Sequence, residues 1–204
     1  RGGMYRGGSA KTHSGAMEIY RSGEAGLPIT YRAWPGETPI IDAGATQFYA
    51  LRLGSPVGPT GIKHIIIDGI TATKARRVGI HVQNGEGIVI RNCTAYRNNQ
   101  DAETFGTNGT WAGIGLYAST NCLDERCRSY YNGYGIWLRE NVETDDPVGC
   151  TDCVVRDCFI YSNSCALPGK YGNCSGVAQP RAARRASLAF SSKGFNAGRG
   201  SRPE

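Results

Sequence analysis

From about residue 15 to residue 165, apolar and polar residues alternate in short runs, and the runs recur. Gly79-Ile80-His81-Val82, Gly113-Ile114-Gly115-Leu116 and Gly135-Ile136-Trp137-Leu138 each set two apolar residues two positions apart. A second run, Cys93-Thr94-Ala95-Tyr96-Arg97-Asn98, returns with its Cys, Tyr and Asn at Cys127, Tyr130 and Asn132, and again at Cys158, Tyr161 and Asn163. Asp68-Gly69-Ile70 is a half-copy with Ile70 in the Cys position. A third run precedes each Cys: Ile88-Val89-Ile90, Cys122-Leu123 and Cys153-Val154-Val155. Period-two alternation marks strands with one buried face, and no stretch repeats at helical period.

The spacing of the copies sets the architecture. Ile70 to Cys93 is 23 residues, Cys93 to Cys127 is 34, and Cys127 to Cys158 is 31. The shortest repeat holds two short strands and their turns, too little for a strand-helix-strand unit of roughly 30 residues or more. It predicts one turn of a parallel solenoid, with coils about 4.8 Å apart and equivalent residues stacked in columns. The extra residues of the longer repeats become loops, where repeat proteins tend to build a binding face.

Each column has a physical role. Ile80, Ile114 and Ile136 are expected to stack inside, as are Val82, Leu116 and Leu138. Cys93, Cys127 and Cys158 give small apolar side chains to a narrow interior. Asn98, Asn132 and Asn163 are placed at the bend, in left-handed backbone, with amides bonding from coil to coil. Asp124 falls in the inward column of Ile90 and Val155. A buried unpaired carboxylate is costly, so the pattern implies a slipped register or a partner for Asp124. Further strands are predicted at Met17 to Tyr20, Ile29 to Ala33, Pro39 to Asp42, Tyr49 to Leu53 and Lys63 to Ile70.

The repeated Cys/Ile-x-x-Tyr-x-Asn followed by Gly-Ile-x-Leu resembles the right-handed parallel β-helix proteins of the pectate-lyase-like superfamily, over roughly residues 15 to 165. The resemblance implies an all-β fold, a right-handed parallel β-helix of about six coils with an irregular carboxy-terminal tail. Residues 1–165 are read as the β-helix and 166–204 as an irregular basic tail. The stretch from Ser22 through Trp34-Pro35-Gly36 to Asp42 resembles the amino-terminal coil of polysaccharide lyases, the family 9 pectate lyases and the family 6 alginate and chondroitin lyases. Gly2-Gly3-Met4-Tyr5 resembles the turn that follows the first strand in these proteins. The start at Arg1-Gly2-Gly3 predicts a piece of a longer protein, so the lack of a visible signal peptide carries no information.

Charge adds little. The net charge is +6, but residues 179 to 204 hold six basic residues and one acid, leaving the rest of the chain near neutral. A near-neutral body gives no footprint for nucleic acid. No apolar run is long enough to imply a membrane, and a monomer is expected. Of the 8 cysteines, five occupy equivalent coil positions and are read as core. Cys150-x-x-Cys153 has the spacing of half a zinc site, with no second half to complete it. Cys165 and Cys174 lie outside the repeats and are candidates to pair if the protein is secreted.

Chemistry is expected on the outward positions of the Gly-Ile-x-Leu strands. These form one column of His81, Gly115 and Trp137 and another of Gln83, Tyr117 and Arg139. Aromatic rings there suit the apolar C–H faces of sugars, making His81, Tyr117 and Trp137 substrate-binding candidates. Arg139 suits a uronate carboxylate in fork geometry. The resemblance implies a lyase that uses Lys or Arg as base, for which Arg139 and Lys74 are the candidates. It also implies Ca²⁺, for which Asp101, Glu103, Asp145 and Asp146 on two loops are the candidate ligands, although the family's Asp-Gly calcium motif is missing. Calcium takes six to eight oxygens. The expected function is an extracellular carbohydrate-active protein that cleaves a uronate-containing polysaccharide by β-elimination. The competing class is a non-catalytic β-helix that binds surface glycans or spaces other domains.

Overall fold

The structure, a computed structural model, describes residues 2–7, 14–54, 61–98, 111–139 and 149–163, and the backbone of 177–178 and 187–189. These residues form three parallel sheets of six strands. Sheet 1 holds β1 (Gly3–Arg6), β4 (Pro39–Asp42), β8 (Thr71–Thr73), β12 (Thr94–Tyr96), β15 (Arg128–Tyr130) and β18 (Phe159–Tyr161). Sheet 2 holds β2 (Gly15–Ile19), β5 (Tyr49–Leu53), β9 (Val78–Gln83), β13 (Ala112–Tyr117), β16 (Tyr134–Arg139) and β19 (Val177–Ala178). Sheet 3 holds β3 (Ile29–Arg32), β7 (Ile65–Asp68), β11 (Val89–Arg91), β14 (Leu123–Glu125), β17 (Val154–Arg156) and β20 (Ser187–Ala189). A further short pair, β6 (Ile62–Lys63) and β10 (Gly85–Glu86), widens two corners. The chain visits sheets 1, 2 and 3 in turn and completes six coils, the parallel β-helix that the repeats imply. Among the described residues no helix is long and apolar enough to cross a membrane.

The columns follow the repeats. Leu51, Ile80, Ile114 and Ile136 are in register, as are Leu53, Val82, Leu116 and Leu138, and all are fully buried. Cys93 and Cys127 are fully buried below Ile70, and Cys158 continues the column partly exposed. Cys150 and Cys153 also lie in the core. A hydrogen bond to Cys122, together with burial, pushes the Cys153 thiol up to about 12, which suits packing rather than metal binding. The six cysteines among the described residues are free thiols; Cys165 and Cys174 lie outside them.

Three details depart from the expectations. Gly3–Arg6 is a strand, where a turn is expected, and pairs with β4, Met4 opposite Ile40 and Tyr5 opposite Ile41. Left-handed backbone falls one residue before each ladder Asn, at Arg97, Tyr131 and Ser162, not on the Asn. The Asn side chains point inward instead and bond along the axis, as the next paragraph describes. Within residues 166–204, β19 and β20 extend sheets 2 and 3 by one strand each.

Two ladders pin the register. Inside, Asn98 donates from its backbone N–H and from Nδ2 to Asn132 Oδ1, both at 3.0 Å. Asn132 does the same to Asn163 Oδ1, at 3.0 and 3.1 Å. The ladder explains two of the glycines that open Gly-Ile-x-Leu runs, Gly79 and Gly113. A Cβ on Gly79 would stand 2.5 Å from Asn98 Nδ2, and one on Gly113 would stand 2.6 Å from Asn132 Nδ2. Outside, on sheet 3, Arg32, Asp68, Arg91, Glu125 and Arg156 stack with alternating sign. Arg91 reaches Asp68 at 3.0 Å, and Arg156 grips one Glu125 oxygen through two nitrogens at 3.0 and 2.7 Å. The arginines of these pairs reach into solvent while Glu125 is buried beneath them, and a strand slipped by two residues would break the alternation.

Asp124 occupies the inward column predicted for it, with Ile90 and Val155 as neighbours. It is fully buried, and neither carboxyl oxygen has a hydrogen-bond partner. The register does not slip and no partner appears. Burial, reinforced by the thiols of Cys158, Cys93 and Cys150, raises its pKa far above the carboxylate range, so the group sits in the core as a neutral acid.

Candidate functional site

Sheet 2 carries a second apolar cluster on its outer face, separate from the core. Phe48, Tyr49, Val78, Ala112 and Tyr117 form it, with Trp111, Tyr134 and Trp137 packed against them. The outward column Arg52, His81, Gly115, Trp137 runs through its middle. Beside it run Gln83, Tyr117 and Arg139.

His81 is held between two rings. Tyr49 stacks on it at 4.2 Å and Tyr117 tilts over it at 4.6 Å. Only 3% of the imidazole residue is exposed, and Nδ1 makes no hydrogen bond. Burial first, then the charges of Arg52 and Arg77, depress its pKa well below the usual value, so it is a neutral imidazole at neutral pH. Gly115 permits this geometry. A Cβ there would lie 2.6 Å from Tyr117 Cε2, where the Tyr117 ring leans across the column. Burial raises the Tyr117 phenol far above its ordinary pKa.

Trp137 is the hub of the downstream half. Its ring centroid lies 5.0 Å from Tyr134, 6.0 Å from Tyr117 and 6.4 Å from Trp111. The Arg139 guanidinium covers it at 4.9 Å and Tyr117 at 5.9 Å. Upstream, Arg77 stands 3.9 Å above Phe48 and 4.7 Å from Trp111. Arg76 covers Phe48 from 5.1 Å, and Arg52 lies 5.3 Å from Tyr49. Such contacts are worth about 0.5–2 kcal/mol each, more where water is excluded.

The structure therefore brings His81, Tyr117, Trp137 and Arg139 onto one face. Lys74 stands elsewhere, at the corner after sheet 1, in left-handed backbone, with its ammonium 3.0 Å from Asp42. Asp42 is buried, which alone would raise its pKa. The Gly44 N–H, Lys74 and Arg6 outweigh that and hold the carboxyl ionised. Asp101, Glu103, Asp145 and Asp146 lie outside the described residues. Among the described residues no three His, Cys, Asp or Glu come together to hold a metal.

Sequence reasoning missed Phe48, Tyr49, Arg52, Arg76, Arg77, Trp111 and Tyr134. A signal for the first three was present. Ala50-Leu51-Arg52-Leu53 is the same run as Gly79-Ile80-His81-Val82, with Ala in the Gly position. Aligning it would have placed Phe48, Arg77 and Trp111 in one column, each two residues before the Ala or Gly that opens its run.

Residues 51–179 match the protein family described as "Right handed beta helix region", and the chain belongs to that family. Among solved structures, a pectate lyase, Pel9A, superposes with a TM-score of 0.55 at 16% identity, over 94% of this chain and 52% of that one. A rhamnogalacturonan lyase aligns with a TM-score of 0.43 at 19% identity, over 93% of this chain and 53% of that one. The chain thus spans about half the length of either lyase. No curated protein sequence matches it.

Proposed function

We propose that the protein is an extracellular carbohydrate-active β-helix that holds an acidic polysaccharide on the outer face of sheet 2. The observation that carries this reading is the ring platform of Tyr117, Trp111, Tyr134 and Trp137, topped by Arg139. Clustered rings, here tilted or edge-to-face on one another, present apolar surface of the kind that sugar C–H faces prefer, and a guanidinium presents paired donors to a uronate carboxylate. The likeness to a pectate lyase in fold supports the same substrate class.

In the catalytic form of this reading the reaction is β-elimination. A base removes the proton from the carbon next to the uronate carboxylate, a carbon–carbon double bond forms, and the glycosidic C–O bond breaks. Arg139 is the basic group on the platform; Lys74, committed to Asp42, lies away from it. A calcium ion held by Asp101, Glu103, Asp145 and Asp146 is the cofactor that the family resemblance implies. The competing reading is glycan binding without cleavage. It is favoured by the burial of the titratable groups beside Arg139, since His81 and Tyr117 are covered and Tyr117 is a weaker acid than usual.

One assay separates the two readings. The protein is incubated with polygalacturonate, alginate and chondroitin sulfate, with calcium and then with chelator, and ultraviolet absorbance of unsaturated uronate product is followed. A rise on one polymer establishes the lyase; a flat trace with measurable binding establishes the binding module. In both cases Trp137→Ala is expected to weaken polysaccharide binding about tenfold, read by affinity electrophoresis, because its ring joins both halves of the platform. Unchanged binding by a folded Trp137→Ala protein would remove the platform from the proposal.

A further inference from the structure

We propose that Cys127 and Cys158 form a redox staple: a small disulfide oxidant joins them and closes the coil that carries Trp137 and Arg139 into a covalent ring. The staple does not depend on the carbohydrate reading of sheet 2.

Register sets the two cysteines opposite each other across one coil step. Glu125 pairs with Arg156 and Arg128 with Phe159, so Cys127 stands opposite Cys158. Backbone bonds hold the match on both sides, Arg126 N–H to Arg156 O at 3.2 Å and Phe159 N–H to Cys127 O at 2.8 Å. Arg126 and Asp157, the residues before the two cysteines, share left-handed backbone, with φ of 52° and 53°. Both side chains therefore leave the same bend in the same direction. Cys127 Sγ lies 3.4 Å from Glu125 O and 3.5 Å from Ile90 O. Cys158 Sγ lies 3.2 Å from Arg156 O and 3.6 Å from Asp124 O, so it leans back onto the coil of Cys127. Parallel neighbours stand about 4.8 Å apart, inside the Cα window of about 4.4–6.8 Å that a disulfide spans. Closure asks the Cβ atoms to draw together by about 1 Å.

Accessibility selects this pair. Of the six thiols among the described residues, Cys158 is partly exposed and the other five are buried. Cys93 opposes Cys127, and Cys122 opposes Cys153, in the same register, yet neither of those pairs offers a sulfur to solvent. The acidity of the thiols agrees. The Cys127 thiol donates to Cys158, and this hydrogen bond holds the Cys158 pKa below the usual thiol value against the opposing effect of burial. The nucleophilic thiolate is thereby favoured at the accessible sulfur.

The reaction is two successive thiol–disulfide exchanges. The Cys158 thiolate attacks one sulfur of the oxidant, the oxidant's S–S bond breaks, and one half leaves as a thiolate. Cys127 is held protonated chiefly by its hydrogen bond to Cys158, and capping that sulfur removes the cause. Cys127 then loses its proton, attacks Cys158 Sγ and expels the second half. Two protein thiols have given up two electrons and two protons, and the oxidant has become two thiols. The two cysteines are 31 residues apart and enclose β15, β16 and β17, one full turn through sheets 1, 2 and 3. A closed loop of this length restricts the unfolded chain, so the oxidised protein is the more stable form.

The test starts from reduced, folded protein, incubated with oxidised glutathione at about pH 8, alkylated, and mapped by mass spectrometry without reduction. A peptide linked through Cys127 and Cys158 is expected, with a thermal midpoint raised by about 5 °C or more and restored by dithiothreitol. Cys127→Ser is expected to stop at glutathione bound to Cys158, and Cys158→Ser to give neither product. Should Cys127→Ser fail to fold, the wild-type map and Cys158→Ser decide. Cys158 bridged to Cys165, to Cys174 or to another chain overturns the proposal, as does folded protein whose thiols all survive the oxidant. A link between Cys127 and Cys158 that forms only in denaturant overturns it too, because the native register is then not what joins them.

Discussion

Replacing Asp124 with Val is expected to stabilise the protein by at least about 1–3 kcal/mol at neutral pH, and by more as pH rises. The side chain is fully buried in a column of Ile90 and Val155, and neither oxygen has a partner. Two costs vanish with it. An unsatisfied buried polar group costs about 1–3 kcal/mol even when neutral. The second cost is protonic. In the unfolded chain the group ionises above about pH 3.9, whereas burial raises its pKa in the folded protein far above that value. The folded state must therefore keep a proton that the unfolded state releases, so this second penalty is absent below about pH 4 and grows as pH rises. The slope is about 1.4 kcal/mol per pH unit up to the folded pKa. Denaturant midpoints of wild type and Asp124→Val should differ least at pH 3 to 4, where only the cost of the unsatisfied neutral group remains, and diverge steadily as pH rises. A variant that is less stable than wild type at pH 7 would mean that Asp124 has a stabilising partner.

Asn132→Ala is expected to cost about 3–5 kcal/mol, the largest loss of any single polar residue on the Asn ladder. Asn132 is the middle rung. Its Oδ1 takes the Asn98 N–H and amide, and its Nδ2 donates to Ala95 O, Ser129 Oγ and Asn163 Oδ1 within 3.1 Å. Truncation leaves the Asn98 N–H, the Ala95 carbonyl and half of two neighbouring amides without partners in a dry interior. Each such orphan costs about 1–3 kcal/mol, partly relieved by relaxation. Gly113→Ala attacks the same rung from the other side, since its Cβ would meet Ser129 Oγ at 2.2 Å and Asn132 Nδ2 at 2.6 Å. The two variants should therefore be sub-additive when combined, in a thermal or urea series. Full additivity would mean that the glycine is required for some other reason.

These two residues also show how far the sequence can be read. Asp124 and Asn132 were both assigned to their columns from spacing alone, because parallel coils repeat each side chain's environment every turn and alternation identifies the inward face. The same logic recovered the outward columns of His81 and Trp137 and of Tyr117 and Arg139. It failed where loops of unequal length separate equivalent positions. Phe48, Arg77 and Trp111 are 29 and 34 residues apart and differ in chemistry, so their column emerges only when each is counted back from the run that follows it. It failed also for left-handed residues. The turn needs one such residue before the ladder, and Arg97, Tyr131 and Ser162 share no side-chain type that marks it.

What the sequence determined by itself is the solenoid: its inward columns, its Asn ladder and the anomalous acid inside it. These follow from short-range periodicity and from repetition, both present in one dimension. What only the tertiary structure decided is which side chains meet across coils on the outer face. There the backbone imposes no composition, and the contacts of Arg77 with Phe48 and Trp111, and of His81 with Tyr49 and Tyr117, depend on register and on rings leaning over a glycine. Such contacts arise between residues a whole coil apart, whose separation along the chain is set by loops that carry no periodic signal.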